Sequence, residues 1–538
     1  MTGSRLARGH PRRAVRGLVA VFIVGGALVA CTPSPVVGNE GGASSAPTAA
    51  SSIPIITVTP SATPPTTTPP ASATPVRSVA PSLDATSSPT GAATGTPGVT
   101  VTAVATATVA RTPPPLPPAT TASYPLRLSG DRRFLVDQTG APFLMVGDSP
   151  QALIGDLSPA EAEFFFANRR AAGFNAAWVN LLCADYTGCN ANATTYDGIA
   201  PLRTPGDLST PNEAYFARAD TDIRLAAKYG IVLLLDPIET GSWLKILRAN
   251  GPAKSRAFGQ YLGARYRGFP NIIWMSGNDF QSWRDAADDA VVLAVAQGIK
   301  DADPDHLQTI ELDYYVSASQ DDARWAPLLG LDAAYTYAPT YAEVLKEYDR
   351  GRVPVFMVEA NYEFEHDYSG PKTLRRQEYW AMLSGATGQL YGNKYTWQFI
   401  AGWREHLDTV GSQQLGYLTR LFAGRSWPTL APDERHILVT GGYGTLSASG
   451  NVNDNDYATA AGTPDGSLVV AYLPTARSIT VNMSALAGSA VAWWYDPTRG
   501  TYLAVAGSPL DNRGARTFTP PGRNGDGDDD WVLVLETG

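Results

Sequence analysis

Beyond residue 123 the chain alternates between short apolar runs and longer stretches whose apolar residues recur at helical spacing. Consecutive apolar residues rich in Val, Ile and aromatics suit strands covered on both faces, as in a parallel sheet wrapped by helices. Eight such runs, FLMVGD, FNAAWVN, IVLLLD, NIIWMSGND, QTIELD, GLDAAYTY, VPVFMVE and GQLYGN, end at Asp148, Asn180, Asp236, Asp279, Asp313, Tyr337, Glu359 and Asn393. Between them, Ser158 to Glu161 form a capping box with Pro159 at the first helical position, and Asn212 opens a helix that Gly230 ends. Further helices are expected over Pro252 to Arg267, Ala286 to Lys300 and Leu374 to Ser384. The preceding LRLSGDRRFLVDQTGAPF reads as a hairpin leading into the first inner strand. Repeated βα units of this number and size predict a closed (β/α)8 TIM barrel of the α/β class.

The pattern then changes. After a helix around Ser412 to Phe422, the segments HILVTG, YATAAG, SLVVAYL, SITVNM, AVAWWY, TYLAV and WVLVLE are short and separated by Gly, Pro, Asp and Asn turns. They predict a small antiparallel β-sandwich over residues 429–538, expected to cover the barrel rather than to bind a ligand. The barrel itself is assigned to residues 123–428.

The first 122 residues carry neither pattern. Residues 1–31 hold five arginines, no acid and an apolar run ending in Leu28-Val29-Ala30-Cys31, which reads as a secretory signal closed by the lipobox of a bacterial lipoprotein, with Cys31 as the lipidated residue. Residues 32–122 are dominated by Pro, Thr, Ser and Ala and lack the apolar side chains needed to offset chain entropy. They are read as a disordered tether, reaching about 50 Å as a coil and about 280 Å as extended polyproline. The expected location is therefore the outer surface of a bacterial cell, with membrane contact only through the lipid.

Charge narrows the partners. Without the signal arginines the formal net charge moves from −9 to −14, which argues against a nucleic-acid or anionic-membrane surface. Cys183 and Cys189, the cysteines besides Cys31, are expected to form a disulfide in an exported protein, stabilising one loop by about 2 kcal/mol. The histidines are scattered and neither an H-E-x-x-H nor a G-x-S-x-G motif occurs, which disfavours a metallopeptidase or a serine esterase. Asn524 to Asp530 alternates oxygen ligands as a calcium loop does, but Leu535 stands where the bidentate Glu belongs, so a solvated turn is expected. No metal and no cofactor are expected.

In a barrel of this kind all eight strand ends gather on the rim where active sites lie, although any single Asp or Asn there is an ordinary turn former or helix cap. Two carboxylates stand out, Asp279 after the fourth strand and Glu359 after the seventh. A glycosidic bond needs one acid to protonate the departing oxygen and a second carboxylate to attack the anomeric carbon or activate water.

Residues from about 124 to 538 resemble the apiosidase-like glycoside hydrolase family, a barrel followed by a C-terminal module labelled as collagen-binding. The matching motifs are FLMVGDS, GFNAAWVNL, IIWMSGND, PVFMVEANYE and RRQEYWAMLSGATGQLYGN with Trp397, together with WWYDPTRGTY and DDDWVLVLE near the end. The resemblance implies that Asp279 is the acid/base and Glu359 the nucleophile of a retaining hydrolase. The chain departs from the family at Asn278, which replaces a Gly, at Pro150-Gln151, which replaces a Trp, and at the sixth strand, TYAPTY, in place of a Gln-Ser-Gly-His-like motif. These departures bear on substrate rather than on reaction.

Asp148, Asn180, Asn278, Tyr337, Asn393 and Trp397 are the candidate sugar contacts, with Asp148 equally suited to capping its loop and Trp397 to the barrel core. Glu363, four residues past Glu359, is expected to orient a loop or pair with an arginine. The function expected is that of a surface-tethered, monomeric glycoside hydrolase acting on a plant or microbial polysaccharide or oligosaccharide. The alternatives are a non-catalytic glycan-binding lipoprotein on the same scaffold and an adhesin using its C-terminal module.

Overall fold

A computed structural model describes residues 122–312 and 316–538 of the chain. The signal segment with Cys31, the tether and the strand-end Asp313 lie outside the described residues. The eight barrel strands are β1 (Met145–Asp148), β2 (Ala176–Asn180), β3 (Val232–Asp236), β4 (Ile272–Phe280), β5 (Gln308–Leu312), β6 (Asp332–Thr336), β7 (Val355–Glu359) and β8 (Gly388–Tyr391). They form parallel ladders in the order β5-β4-β3-β2-β1-β8-β7-β6. Among the described residues between β5 and β6 no helix longer than a 3-10 turn takes the place of the expected one; Val316–Ala318 pairs antiparallel to β6 instead, and short 3-10 turns follow. The sheet is therefore nearly closed, with one parallel bridge, Gln308 to Leu329, spanning the gap.

Both faces of the strands are buried because alternate residues serve two cores. Ala176, Trp178, Val232, Leu234, Met275, Phe356 and Val358 fill the barrel interior, where Leu126, Leu135 and Phe143 of the N-terminal hairpin join them. That hairpin is a small three-stranded sheet at the strand-entry end, tied there by Leu135 N–H donating to Thr387 Oγ1 at 3.2 Å. The outward set, including Val179, Leu233, Leu235, Ile272 and Trp274, packs under the helices.

Besides a single turn at Leu153–Asp156, the helices described are α1 (Pro159–Ala172), α2 (Glu213–Lys228), α3 (Thr240–Tyr266), α4 (Ala286–Ala302), α5 (Thr340–Arg350), α6 (Pro371–Leu383) and α7 (Val410–Phe422). The capping box at Ser158 and the Asn212 cap form as their sequences require. Helix α3 starts earlier than expected, and its bend falls at Gly251 (φ 71°) beside Pro252. The structure joins Cys183 to Cys189 with their Cα atoms 5.8 Å apart.

The C-terminal region is two antiparallel sheets, one of six strands and one of three. Strands Ala431–Pro432 and Ala515–Phe518 were not apparent in the hydrophobic pattern because they are short or mostly exposed. One face of the larger sheet meets the smaller sheet through Val469, Ala471, Ile479, Phe518 and Leu533. Its other face packs on α6 and α7 through Tyr379, Trp380, Leu415, Phe422, Tyr472 and Val532. The 524–530 loop differs from the solvated turn expected of it: Asp530 is fully buried and grips the buried Arg375 of α6, with Nε and Nη2 each 2.8 Å from a carboxylate oxygen. Its acids serve an arginine across the barrel boundary.

Candidate active site

The fourth strand presents its acid through a distorted end. Asn278 and Asp279 adopt left-handed conformations (φ 67° and 53°), and the pairing of β4 with β5 slips between Ser276 and Phe280. Such a bulge re-aims side chains that a regular strand would bury. Gly277 permits it, since a Cβ there would lie 2.6 Å from the Glu311 carbonyl oxygen and its φ is 147°. Thr240 Oγ1 clamps the turn by donating to the carbonyl of Gly277 at 2.6 Å. The Asp279 N–H donates to Glu311 Oε2 at 2.7 Å, and Tyr186 donates its hydroxyl to Asp279 Oδ2.

On the far side, Glu359 ends β7 with both oxygens occupied. Tyr337 donates to Oε1 at 2.8 Å and Tyr362 to Oε2 at 2.6 Å, while Tyr335 reaches Tyr337 at 3.1 Å. The Tyr362 ring lies against Gly392, where any Cβ would clash with it at about 2.0 Å, so the Gly in YGN leaves room for the ring that holds Glu359. Gln151 connects the two sides: it accepts from Asn278 Nδ2 at 2.9 Å and donates to the Tyr362 hydroxyl at 3.2 Å.

These groups enclose a cavity of about 220 Å³ lined by Asn278, Asp279, Glu311, Tyr337, Glu359 and Tyr362, with Gln151, Trp178, Tyr186, Glu365 and Trp397 completing it. A wider cleft of about 530 Å³ continues past Asp279 toward Phe280 and Arg284. Burial and the nearby Asp279 carboxylate push Glu359 up to about 8, against the opposing pull of its tyrosine donors. Burial, then the charges of Asp279 and Glu359, raise Glu311 well above the usual carboxylate range. Three carboxyls so close cannot all be ionised at neutral pH.

The structure brings together Asn278, Asp279, Tyr337, Glu359 and Trp397 of the residues singled out in the sequence. Asp148, Asn180 and Asn393 are not among the cavity's lining. Asp148 is paired with the buried Arg169 at 3.2 Å, Asn180 accepts from Trp178 Nε1 at 3.1 Å, and Asn393 donates to the Tyr391 hydroxyl at 2.9 Å. Among the described residues Glu363 meets no arginine; it accepts from Thr409 Oγ1 at 2.6 Å and from the Gly411 N–H at 3.2 Å, anchoring the start of α7. Sequence reasoning missed Glu311, Tyr186, Tyr362, Gln151 and Glu365. Glu311 was visible as a charge inside the apolar run QTIELD, which is costly without a partner. Gln151 was visible as a departure from the family pattern.

A parallel barrel with paired acids on its strand-exit rim defines the class, and solved structures of that class share its fold. A structure described as a glycoside hydrolase matches at TM-score 0.65 and 23% identity, over 77% of this chain and 97% of its own. A family 5 glycoside hydrolase from Bacteroides vulgatus matches at 0.64 and 21%, over 76% and 93%. The family described as "Apiosidase-like, catalytic domain" matches residues 129–429, more than half of the chain, and the protein belongs to that family of glycoside hydrolases. Residues 445–536 match the family described as "Putative collagen-binding domain of a collagenase". No curated protein matches the chain.

Proposed function

We propose that the protein is a retaining glycoside hydrolase in which Asp279 is the acid/base and Glu359 the nucleophile. The observation that carries this reading is the double tyrosine clamp on Glu359, facing Asp279 across a single cavity. Hydroxyl donors on both oxygens favour the carboxylate form and fix it for attack. The Asp279 charge is, after burial, one of the two causes that raise Glu359, so the reactive form proposed is the one in which Asp279 carries the proton and no longer repels the Glu359 carboxylate. In the first step Glu359 bonds to the anomeric carbon as the bond to the glycosidic oxygen breaks, and Asp279 passes its proton to that oxygen. In the second, Asp279 takes a proton from water, the water oxygen bonds to the anomeric carbon, and Glu359 leaves as a carboxylate. Glu311 is a positioning residue: its bond to the Asp279 N–H helps hold the left-handed turn.

The substrate proposed is a plant or microbial polysaccharide or a fragment of one. Tyr186, Tyr196, Trp283, Phe364 and Tyr368 are exposed large aromatics in loops that follow β2, β4 and β7, where flat rings suit sugar faces. The proposed setting is the outside of a bacterial cell, with Cys31 as the lipid anchor and residues 32–122 as the tether. NMR of the first-formed anomer from pectic and hemicellulosic oligosaccharides tests the mechanism, and immediate inversion would overturn it. Membrane partitioning of Cys31→Ser tests the anchor; unchanged partitioning would remove lipidation from the proposal.

A further inference from the structure

Tyr186 and Asp279 are 93 residues apart in the chain, yet the consecutive residues Glu239 to Ser242 at the start of α3 fix both. Glu239, the buried cap of that helix, accepts from the Ala184 N–H and from Thr187 Oγ1, each at 3.0 Å, on either side of Tyr186. Thr240 Oγ1 donates to the carbonyls of Gly277 and Asn278 at 2.6 and 3.0 Å, immediately before Asp279. Gly241 seats the Tyr186 ring, because a Cβ there would lie 2.2 Å from the ring's Cγ. Ser242 Oγ accepts from the Tyr186 N–H at 2.9 Å. The donor and the acceptor of the Tyr186–Asp279 hydrogen bond are thus registered against a single helix turn.

The loop that carries Tyr186 is closed as well. Cys183 and Cys189 join on either side of one 3-10 turn, Asp185–Thr187, and Tyr186 lies midway between them. Their sulfurs pack on Gly155, where a Cβ would come within 2.9 and 2.8 Å of them. Tyr186 is 42% exposed, so burial of its ring does not hold it in place. On a free loop, the entropy lost in keeping one rotamer would offset most of the gain from one hydrogen bond. At the hydroxyl end, burial and the charge of Asp279 raise Tyr186 far above an ordinary phenol, so it stays a donor.

We propose that Tyr186 is a positioning residue for the acid/base: the closed loop and the first turn of α3 present its hydroxyl to Asp279 Oδ2, which leaves Oδ1 to carry the proton that goes to the departing oxygen. This rests on the acid/base role of Asp279. In a protonated carboxyl the oxygen that accepts a hydrogen bond is the carbonyl one, so the proton is kept on the other. When Asp279 is ionised, the same hydroxyl stabilises the carboxylate and lowers its affinity for the proton. Glu311, Glu359 and Glu365 repel that carboxylate, Tyr335 and Tyr337 stand across the cavity, and Arg284 and Asp288 line the cleft beyond. Tyr186 answers the repulsion with a fixed donor.

Carbon NMR of the full chain labelled at aspartate Cγ reads Asp279 without a substrate and leaves the glutamates silent; Asp279→Asn assigns the resonance. In Tyr186→Phe the Asp279 titration is expected about one pH unit higher than in wild type, because a donor to the carboxylate is lost. Gly241→Ala suits a helix but drives the ring from its seat, and the same rise is expected there. Melting curves check that each variant folds, and if one does not, the other decides. On a cleaved glycan, kcat/KM of Tyr186→Phe should fall about tenfold, with its basic limb moved to higher pH. An unmoved titration in folded Tyr186→Phe or Gly241→Ala overturns the proposal. Cys183→Ser with Cys189→Ser should also raise the titration, and an unmoved value would overturn the part given to the disulfide. The two readings fail separately. If Asp279→Ala hydrolyses substrate as wild type does, the acid/base assignment falls while the titration still reports the contact. If Asp279→Ala is inactive and Tyr186→Phe keeps the titration and pH–rate profile of wild type, the positioning proposal falls alone.

Discussion

Two sets of buried acids in this molecule are handled in opposite ways. At the boundary between barrel and C-terminal sheets, Asp530 receives a bidentate arginine, with Tyr472 and Asn524 adding bonds at 3.1 and 2.8 Å. In the cavity, Glu359 is held by tyrosine hydroxyls and Glu311 by a backbone N–H. An arginine supplies a permanent counter-charge and a bidentate fork that fixes its carboxylate in one geometry, which suits a fixed joint. Hydroxyls and amides leave the proton free to move between neighbouring acids, which suits chemistry. The contrast separates acids that hold from acids that exchange protons.

The contrast breaks most visibly in activity. Glu359→Ala is expected to lower kcat by about 10⁴-fold or more, and Asp279→Ala by about 10²–10⁴-fold, in steady-state assays on a cleaved glycan. Neither should unfold the protein. Arg375→Ala should do the reverse, costing about 3–5 kcal/mol in denaturant unfolding because Asp530 would be left buried and uncompensated, with kcat per folded molecule kept. Next in size come Tyr337→Phe and Tyr362→Phe. Each removes a donor to the Glu359 carboxylate, worth about 1.5–3 kcal/mol, so the acid limb of the pH–rate profile should move to higher pH and kcat/KM at pH 6 should fall. Cys183→Ser with Cys189→Ser is expected to lower stability by about 2 kcal/mol.

The pH dependence of stability sharpens the same point. Glu359 binds its proton more tightly folded than unfolded, with its value raised to about 8, so its contribution is complete below the ordinary carboxylate range and is lost as pH rises through 8. Melting temperature should therefore fall between pH 5 and 9, and Glu359→Gln should flatten part of that slope. A slope unchanged by the substitution would mean that other buried acids carry it; Asp222, raised to about 8 by burial, is the first candidate.

How much of this was legible beforehand follows from the range of the forces involved. The strands were readable because burial on both faces writes a continuous apolar run, as in Val232–Asp236 and Val355–Glu359. The lack of a long helix among the described residues after β5 was not, because QTIELD is followed by no strong periodic signal and the antiparallel Val316–Ala318 depends on a partner in β6. At the site, strand-end position found Asp279 and Glu359 but gave the same weight to Asp148, which a distant residue, Arg169, had already claimed. Tyr186 and Tyr362 were hidden because they reach the cavity from loops, whose paths no local pattern encodes. The acidic 524–530 loop misled for the same reason: its arginine lies more than 150 residues away in sequence.

The left-handed turn at Asn278-Asp279 also limits which residues this strand end can carry. Among residues with a side chain, asparagine and aspartate enter that conformation most readily, whereas β-branched or bulky residues do so only with strain. The backbone thus filters the alphabet before chemistry does. Exchanging Asp279 for a glutamate keeps the carboxyl but lengthens the arm on a main chain that disfavours it, so the short acid and the short amide beside it are a requirement of the turn as much as of the reaction.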